Sequence, residues 1–430
     1  MNQSRSAKTV VVGGGIWGLS TAYHLASAGH RDVVVIERGS SVAAETTRRA
    51  AGQIGQLRTN PVLVRAINYT LDLMREFQDK TGHDPHYTQS GSLHVALNSA
   101  RAEFFQQQSE HARTLGLEVE TASSDLLSEL APNLNQAAIE SALYVPNDGY
   151  VEAEQCALAY AAALKDLNVE VRTDTELTGI CEENGRVSRV ETTSGSIECE
   201  QLVVTVGPWA RRVLLLAGIH VPMQPILLQQ ARTEKTSELS AKHPVVRIPD
   251  ESCYLRPEKG GYLFGCFDPN PKSMDLAALP AEFTTKDIPP QPELVGNSRR
   301  RLTPVIPILE KLAIDQYRQG NGRRYGGWAI RHWSGPTIGR SLRCDRLRRD
   351  GNRSIRSGRS LACQLDNQRR SRRHTGRICT QSLRRKCRAS RLGSAPLRRE
   401  ISKLLRSAKE QLNDNELPRQ QDSTTDTLEI

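Results

Sequence analysis

The sequence predicts an α/β fold for the first part of the chain, together with an α+β region built on an antiparallel sheet. Two observations carry this prediction. A strand–helix–strand pattern with closely spaced glycines fills residues 8–37. An alternating pattern punctuated by prolines covers residues 222–268, and such a pattern is typical of antiparallel strands.

The first element is a βαβ unit. KTVVV at residues 8–12 is short and β-branched, as a buried parallel strand should be, and DVVVIE at residues 32–37 is similar. Between them, LSTAYHLASAG has apolar residues at helical spacing. The turn before this helix contains GxGxxG, and an acidic residue closes the second strand. Strand, glycines, helix and acid in this order predict a Rossmann-like domain.

Each part of this unit suits a dinucleotide. Gly13 permits a tight turn, Gly15 lets the backbone approach a pyrophosphate, and Gly18 allows close packing of helix on strand. The first helical turn, which includes Ile16 and Trp17, supplies N–H donors and a positive dipole. Glu37 is expected to accept hydrogen bonds from ribose hydroxyls. The motif does not choose between NAD and FAD.

The segment after the second strand supplies a resemblance that makes this choice. ERGSSVAAETTRRAAGQIGQLR, residues 37–58, resembles the corresponding segment of the D-amino-acid oxidase-like (DAO) flavoprotein superfamily, and most closely its sarcosine, dimethylglycine and glycine oxidase/dehydrogenase branch. Some members bind FAD covalently through a histidine in a Trp-His-Ala-Ala-Gly run. This chain has Arg48-Arg49-Ala50-Ala51-Gly52 instead. The resemblance therefore implies FAD bound without this covalent bond.

The resemblance continues along the chain. YVPNDGYVEAEQ at 144–155 is similar to the family's P-x-D-G turn, and GPWA at 207–210 is similar to its G-x-W-x segment. YLRPEKGGYLFG at 254–265 is similar to its Y-x-R-P-x-x-G-G hairpin. The resemblance implies a further set of FAD-binding residues, namely Arg38, Thr46, Arg48, Ala51, Gly52, Gln53, Leu177, Gly207 and Trp209.

The resemblance also implies a discontinuous organisation. The FAD domain is expected from residues 1–85 and 145–215, and the substrate domain, with an antiparallel sheet over the flavin ring, from residues 86–144 and 216–319. A third FAD-domain segment should begin near residue 320. Residues 320–430 are instead an arginine-rich tail.

The activity implied is oxidation of the C–N bond of a small amino acid or amine, by hydride transfer to flavin N5 and hydrolysis of the imine. O₂ or an electron-transfer partner would reoxidise the flavin. A substrate carboxylate calls for a guanidinium clamp, for which Arg256 and Arg58 are candidates, with Tyr254 as a second donor. A plain strand or surface role for either arginine stays open. No catalytic acid or base is assigned.

The composition argues against several classes of protein. Nine cysteines without a CxxC pair or a histidine cluster indicate neither a zinc site nor a secreted disulfide framework. The sequence shows no signal-peptide pattern and no apolar run long enough for a membrane span. A cytoplasmic protein without a membrane span or metal is therefore expected.

The net charge of +10 is divided unevenly. Residues 1–320 carry 31 Lys and Arg against 38 Asp and Glu, whereas residues 321–430 carry 27 against 10. Residues 321–406 contain 23 arginines without sustained apolar periodicity, and such a composition is unlike that of a buried strand or helix. An RNA- or DNA-binding arm and a solvated helix face are two interpretations of this tail. Nucleic-acid binding is not expected, because the arm would replace a segment that the fold needs.

A reading-frame slip is the third interpretation. Read one nucleotide later, the codons of Trp328–Ala329 and Trp333–Ser334 give two glycines five residues apart, as the family's T-P-D-G-x-x-x-I-G segment requires. GC-rich codons read out of frame yield arginine. The hypothesis is that translation from about residue 321 is out of frame. Two alternative functions stay open, a non-catalytic remnant that keeps dinucleotide binding and a nucleic-acid binder.

Overall fold

The computed structural model describes residues 5–221, 223–276, 278–280 and 282–325. In these residues the strands are β1 Thr9–Val12, β2 Val33–Ile36, β3 Gln53–Ile54, β4 Tyr87–Thr88, β5 Ser92–Ala96, β6 Glu120–Thr121, β7 Ser141–Val145, β8 Gly149–Val151, β9 Glu170–Arg172, β10 Leu177–Glu183, β11 Arg186–Thr192, β12 Gly195–Glu198, β13 Gln201–Val204, β14 Met223–Thr233, β15 Val245–Ile248, β16 Cys253–Glu258, β17 Gly261–Cys266 and β18 Ile314–Tyr325. The helices are α1 Ile16–Ser27, α2 Pro61–Thr81, α3 Ser99–Thr114, α4 Ser124–Leu130, α5 Ala153–Asp166, α6 Ala210–Leu215 and α7 Pro292–Leu302.

The predicted βαβ unit lies at the centre of a parallel sheet. Its strand order is β13-β1-β2-β9, and α1 connects β1 to β2. Every residue of β1 and β2 is buried, because α1 and α5 cover one face of this sheet while the β10–β11–β12 sheet covers the other. The structure therefore confirms the α/β prediction for the start of the chain.

A second, larger sheet has the order β18-β14-β17-β16-β15-β5-β7-β6. Its pairings are antiparallel except that β15 runs parallel to β5, and the strands within residues 222–268 pair antiparallel as predicted. One face buries Val246, Leu255 and Phe264 with residues of α4 and α7. The opposite face meets the segment that follows β2, through a small cluster of Ala51, Tyr254 and Leu263.

The strands of the two sheets fall on the segments assigned to two domains from the sequence, and the division itself stays a prediction. The expected boundary near residue 320, however, lies inside β18. This strand pairs with β14 through Tyr325, so the first residues of the arginine-rich tail continue the sheet. Residues 326–430, on which the rest of the tail and the predicted final segment fall, lie outside the described residues.

A disulfide joins Cys253 and Cys266, which face each other on β16 and β17. The spacing of the cysteines along the chain predicted no disulfide framework. The pairing depends on the register of a hairpin, which brings together two residues 13 positions apart.

Candidate functional site

The glycine turn at the carboxyl end of β1 is closely packed. Gly13 has a φ of +108°, and a Cβ there would lie 2.9 Å from the carbonyl oxygen of Thr205. A Cβ on Gly18 would lie 1.8 Å from the carbonyl oxygen of Gly13. A Cβ on Gly15 would meet the Thr47 hydroxyl at 3.2 Å, and this hydroxyl accepts the N–H of Ile16 at 3.1 Å. Side chains at Gly13 and Gly18 would displace the backbone of this turn in front of α1, which we call the glycine cradle.

Glu37 lies beside this turn. One carboxylate oxygen accepts the N–H of Gly14 at 2.7 Å, and the other accepts the N–H of Gly39 at 2.8 Å. Burial raises the pKa of Glu37, while these backbone donors lower it. Because a carboxylate oxygen can accept more than one hydrogen bond, each oxygen keeps capacity for a ribose hydroxyl.

Three segments near Glu37 contain further residues for which the resemblance implies contact with FAD. Leu177 opens β10 and packs against the buried residues of β1 and β2. Gly207 has a φ of +54° and precedes the buried Trp209. The guanidinium of Arg38 lies 4.8 Å from the centre of the Trp209 ring and donates to the Phe283 carbonyl at 2.9 Å. The structure thus brings these predicted residues close together.

Residues 46–53 contain five of the FAD-binding residues that the resemblance implies, and we call this segment the flavin turn. It packs between β8 and the larger sheet. Gly52 has a φ of +70°, and a Cβ there would lie 2.1 Å from the carbonyl oxygen of Val151. Arg48, by contrast, is exposed and pairs with Glu154 at 3.2 Å. Cofactor contact by Arg48 stays a prediction.

A row of residues on the larger sheet covers the flavin turn. Strand register aligns six positions across the sheet, and we call this set the roof row: His94, Arg247, Tyr254, Gly265, Gln230 and Arg318. Gln230 donates to the Arg49 carbonyl at 3.1 Å, and Tyr254 packs against Ala51. The roof row therefore faces the flavin turn.

Buried polar atoms without a hydrogen-bond partner cluster at this place. In the described part of the chain they fall on residues 46–58 and on the roof row, and they include Thr46 Oγ1, both amide atoms of Gln53, Gln56 Oε1, His94 Nε2, Gln230 Oε1 and Arg247 Nη2. An unsatisfied buried polar atom costs about 1–3 kcal/mol. A ligand that supplied donors and acceptors here would remove that cost. The donor set and the glycine cradle fit a dinucleotide whose ring system carries hydrogen-bonding groups.

Arg256 is fully engaged with the protein. Its Nε–H donates to the Ala51 carbonyl at 2.5 Å, and its terminal nitrogens donate to Glu152 at 3.1 Å and Glu258 at 2.8 Å. The guanidinium also lies 4.5 Å from the centre of the Tyr150 ring. A substrate carboxylate would have to compete with these contacts, so the geometry favours a positioning role for Arg256. Its role as a clamp stays a prediction.

Glu258 joins Arg256 to two other strands. Arg318 donates to both carboxylate oxygens of Glu258, and Arg232 lies 3.7 Å away. Burial raises the pKa of Glu258, but the guanidiniums of Arg318 and Arg256 outweigh it and hold the pKa below its usual value. This carboxylate therefore stays charged at neutral pH.

Arg58 lies in a second buried group. It donates to the Leu57 carbonyl at 2.9 Å, near the completely buried Asp148. Asp148 accepts from the Ser92 hydroxyl at 2.5 Å and from the Gln56 N–H at 2.8 Å. Burial raises the pKa of Asp148 to about 6, against the lowering effect of these bonds. Arg58 and Arg256 are thus in separate networks.

Several residues of the site were missed from the sequence. Thr47, Gln230 and Arg247 belong to no local motif, and only strand register or turn geometry brings them to the site. In the described residues, no group of His, Cys, Asp and Glu is arranged to hold a metal ion. The described helices include none with the length and apolar character needed to cross a bilayer.

The family model described as FAD dependent oxidoreductase (DAO) matches residues 8–361. The match covers most of the chain, including about forty residues of the arginine-rich tail.

Two curated relatives from Mus musculus differ in kind. The mitochondrial dimethylglycine dehydrogenase is 30% identical over 321 residues, covering 72% of this chain and 36% of the relative. The mitochondrial pyruvate dehydrogenase phosphatase regulatory subunit is 32% identical over 269 residues, covering 62% of this chain and 30% of the relative. The chain spans about a third of the length of these relatives.

Among solved structures, L-proline dehydrogenase from P. horikoshii superposes with a TM-score of 0.70 at 22% sequence identity, covering 78% of this chain and 87% of that one. This similarity shows the fold.

Proposed function

This chain belongs to the DAO family of FAD-dependent oxidoreductases, and from this premise we propose that it oxidises the C–N bond of a small amino acid or methylated amine. Sarcosine, glycine and dimethylglycine represent the substrate class. The observation that carries the proposal is the set of unsatisfied buried atoms on the flavin turn and the roof row. They lie where a flavin and a small polar substrate would meet.

The residues that would hold FAD follow from the site. The glycine turn, with the N–H groups of Ile16 and Trp17, would bind the pyrophosphate, and Glu37 would bind the ribose. The other proposed contacts are Gly13, Gly15, Gly18, Arg38, Thr46, Arg48, Ala51, Gly52, Gln53, Leu177, Gly207 and Trp209. FAD would be bound without the histidine bond, since Arg48-Arg49-Ala50 replaces the Trp-His-Ala run.

The chemistry divides between cofactor and protein. Bound FAD would supply the hydride acceptor for the carbon next to the substrate nitrogen, and water would then hydrolyse the imine product. The protein would orient the substrate and exclude water. Ala51 and Gly52 would set the position of the ring, because Arg256 and Val151 fix this backbone from the two sides. Tyr254 would donate to the substrate from the roof row.

The flavin would be reoxidised by O₂ or by an electron-transfer partner. Arg58 and Arg256 stay candidates for carboxylate binding, and a cytoplasmic location stays a proposal that cell fractionation tests.

We also propose that the chain departs from its original reading frame. The departure is proposed to begin at about residue 321, within β18, which pairs with β14 through Tyr325. Independent resequencing of the gene tests this hypothesis. A frame identical in every read to the one translated here would refute it.

The function is tested by mixing the FAD-loaded protein anaerobically with sarcosine, glycine and dimethylglycine. At least one amine should bleach the flavin absorbance, and the bleached amount should equal the enzyme concentration. Protein that carries FAD and is bleached by dithionite but by none of a broad set of amines and amino acids would contradict the proposal.

A non-catalytic role is the second candidate. It is favoured by the regulatory subunit among the relatives, which is as similar to this chain as the dehydrogenase is. The same mixing experiment separates the two, since a non-catalytic chain would bind FAD without amine-dependent bleaching.

A further inference from the structure

Arg247 points toward the flavin turn. Its neighbours on β15, Val246 and Ile248, are both buried in the core on the opposite face of the sheet. Because side chains alternate along a strand, Arg247 must project from the face that carries Tyr254. The register places Arg247 directly between Tyr254 and His94.

Arg247 differs in its contacts from Arg256, which lies on the neighbouring strand β16. Arg256 has an acceptor for each guanidinium nitrogen, whereas Arg247 makes no ion pair within the described chain, and its buried Nη2 has no hydrogen-bond partner. On β5, which pairs with β15, the Nε2 atom of the buried His94 also has no hydrogen-bond partner in the described residues. Since a buried donor at a charged group is costly to leave unpaired, the two atoms together indicate a ligand.

The carboxylate on which Arg247 acts, that of Asp148, is already hydrogen-bonded by other groups. Arg58 and Arg247 are the cations that act on Asp148, and Asp148 is the acid among them. Both oxygens of Asp148 already accept hydrogen bonds, from Ser92 and from the Gln56 N–H. Burial, followed by the charges of Arg247 and Arg58, holds the pKa of His94 well below its usual value, so His94 is neutral at pH 7. The hydrogen bonds to Asp148 thus come from other donors, and the guanidinium of Arg247 makes no ion pair in the described residues.

The loop opposite Arg247 approaches its guanidinium closely. A Cβ built on Gly55 would lie 3.2 Å from Asp148 Oδ2 and 4.0 Å from Arg247 Nη2. The backbone of the segment that follows the flavin turn therefore comes close to the guanidinium without a side chain between them.

We propose that Arg247, with His94 beside it, binds the carboxylate of the substrate. This inference rests on the proposed function. It assigns to Arg247 the clamp that the sequence suggested for Arg256, and it predicts that the protein distinguishes amino acids from amines that lack a carboxylate.

The test uses a probe that no amine chemistry can alter. Isovalerate has the shape and carboxylate of dimethylglycine but carries carbon in place of nitrogen, and isovaleramide is its uncharged counterpart. Calorimetric titration of the FAD-loaded full chain should show binding of isovalerate at least tenfold tighter than that of isovaleramide. Equal affinities, or no binding of isovalerate, would overturn the proposal.

Variants then identify the residue. Arg247→Met should weaken isovalerate binding by about 10- to 100-fold, as expected for the loss of a charged hydrogen-bonding partner. Arg247→Lys should give a smaller loss, because an ammonium cannot bind a carboxylate bidentately. Arg65→Met removes the same charge from an exposed position on α2 and should leave the affinity within twofold. Unchanged affinity in Arg247→Lys and Arg247→Met would refute the assignment.

Two readouts keep this inference separate from the proposed function. FAD affinity should be the same in all these variants, which excludes general misfolding as the cause of lost binding. If no amine bleaches the flavin but isovalerate binding depends on Arg247, the carboxylate site stands and the oxidase function fails. If amines bleach the flavin with unchanged KM in Arg247→Lys, the function stands and the site fails.

Discussion

The glycine turn and the roof row form the two sides of the same site, and they are built in different ways. The turn comes from one continuous stretch, residues 13–18, in which each glycine is required by a backbone atom that lies close to it. The roof row collects residues from six strands between positions 94 and 318. A change in the turn should therefore act mainly on cofactor binding, whereas a change in the roof should act on the stability of the sheet and on the substrate.

Breaking the buried network of Arg256, Glu258 and Arg318 should have the largest effect. Arg256→Met leaves the buried Glu258 with fewer partners and removes the donor to the Ala51 carbonyl. Removing one partner of a buried ion pair costs about 3–5 kcal/mol. Urea denaturation should show a loss of this size in the free energy of unfolding. Lys80→Met, at an exposed pair with Glu76 on α2, is the control and should leave the free energy of unfolding nearly unchanged.

A pH series tests the contribution of the buried Asp148 to stability. The folded-state pKa of Asp148 is about 6, above its unfolded value of about 3.9. The folded protein therefore binds the proton more tightly, and the contribution of Asp148 to stability falls as pH rises from about 4 to 6, by about 3 kcal/mol.

Asp148→Asn removes this titration. The free energy of unfolding of this variant, relative to that of the unaltered chain, should rise across the same pH interval and become constant above it. A difference between the two proteins that is independent of pH from 4 to 7 would show that Asp148 is ionised in the folded state throughout.

These two predictions concern residues whose roles could not be obtained from the sequence. The βαβ unit was predictable because its signals lie within thirty residues, and Gly13, Gly15, Gly18 and Glu37 all occupy the expected places. Arg247 and Arg256 are similar in the sequence, since both are arginines in β-rich stretches. Only the register with β5 and β17, and the position of Glu258, give Arg256 a full set of acceptors and leave Arg247 Nη2 without a partner in the described residues. The Cys253–Cys266 bond escaped prediction for the same reason.

On the other side of the site, Gly18→Ala should weaken FAD binding by about a hundredfold. The added methyl group would overlap the Gly13 carbonyl, so the turn must move, at a cost of about 1–3 kcal/mol or more. Fluorescence titration with FAD measures the loss. Gly296→Ala, in α7, is the matched control because a Cβ there meets only the tip of Arg300, at 3.8 Å. Equal affinities in the two variants would contradict the packing described for the turn.

Glu37→Gln should have the smallest effect, about a tenfold loss of FAD affinity. The amide group of glutamine would face the N–H of Gly14 or Gly39, which both need an acceptor, and the charge offered to the ribose would be lost. The free energy of unfolding without FAD should fall by about 1 kcal/mol, because one of these N–H groups loses its acceptor. If affinity for FAD is unchanged in this variant, the ribose contact is elsewhere.

Calorimetric titration tests directly whether the glycine turn and the roof row enclose a flavin. FAD is titrated calorimetrically into the full chain, expressed from a gene whose reading frame has been verified. The account predicts saturable binding of one FAD per chain that Gly18→Ala weakens. No heat of binding and no retained flavin absorbance after gel filtration would contradict it.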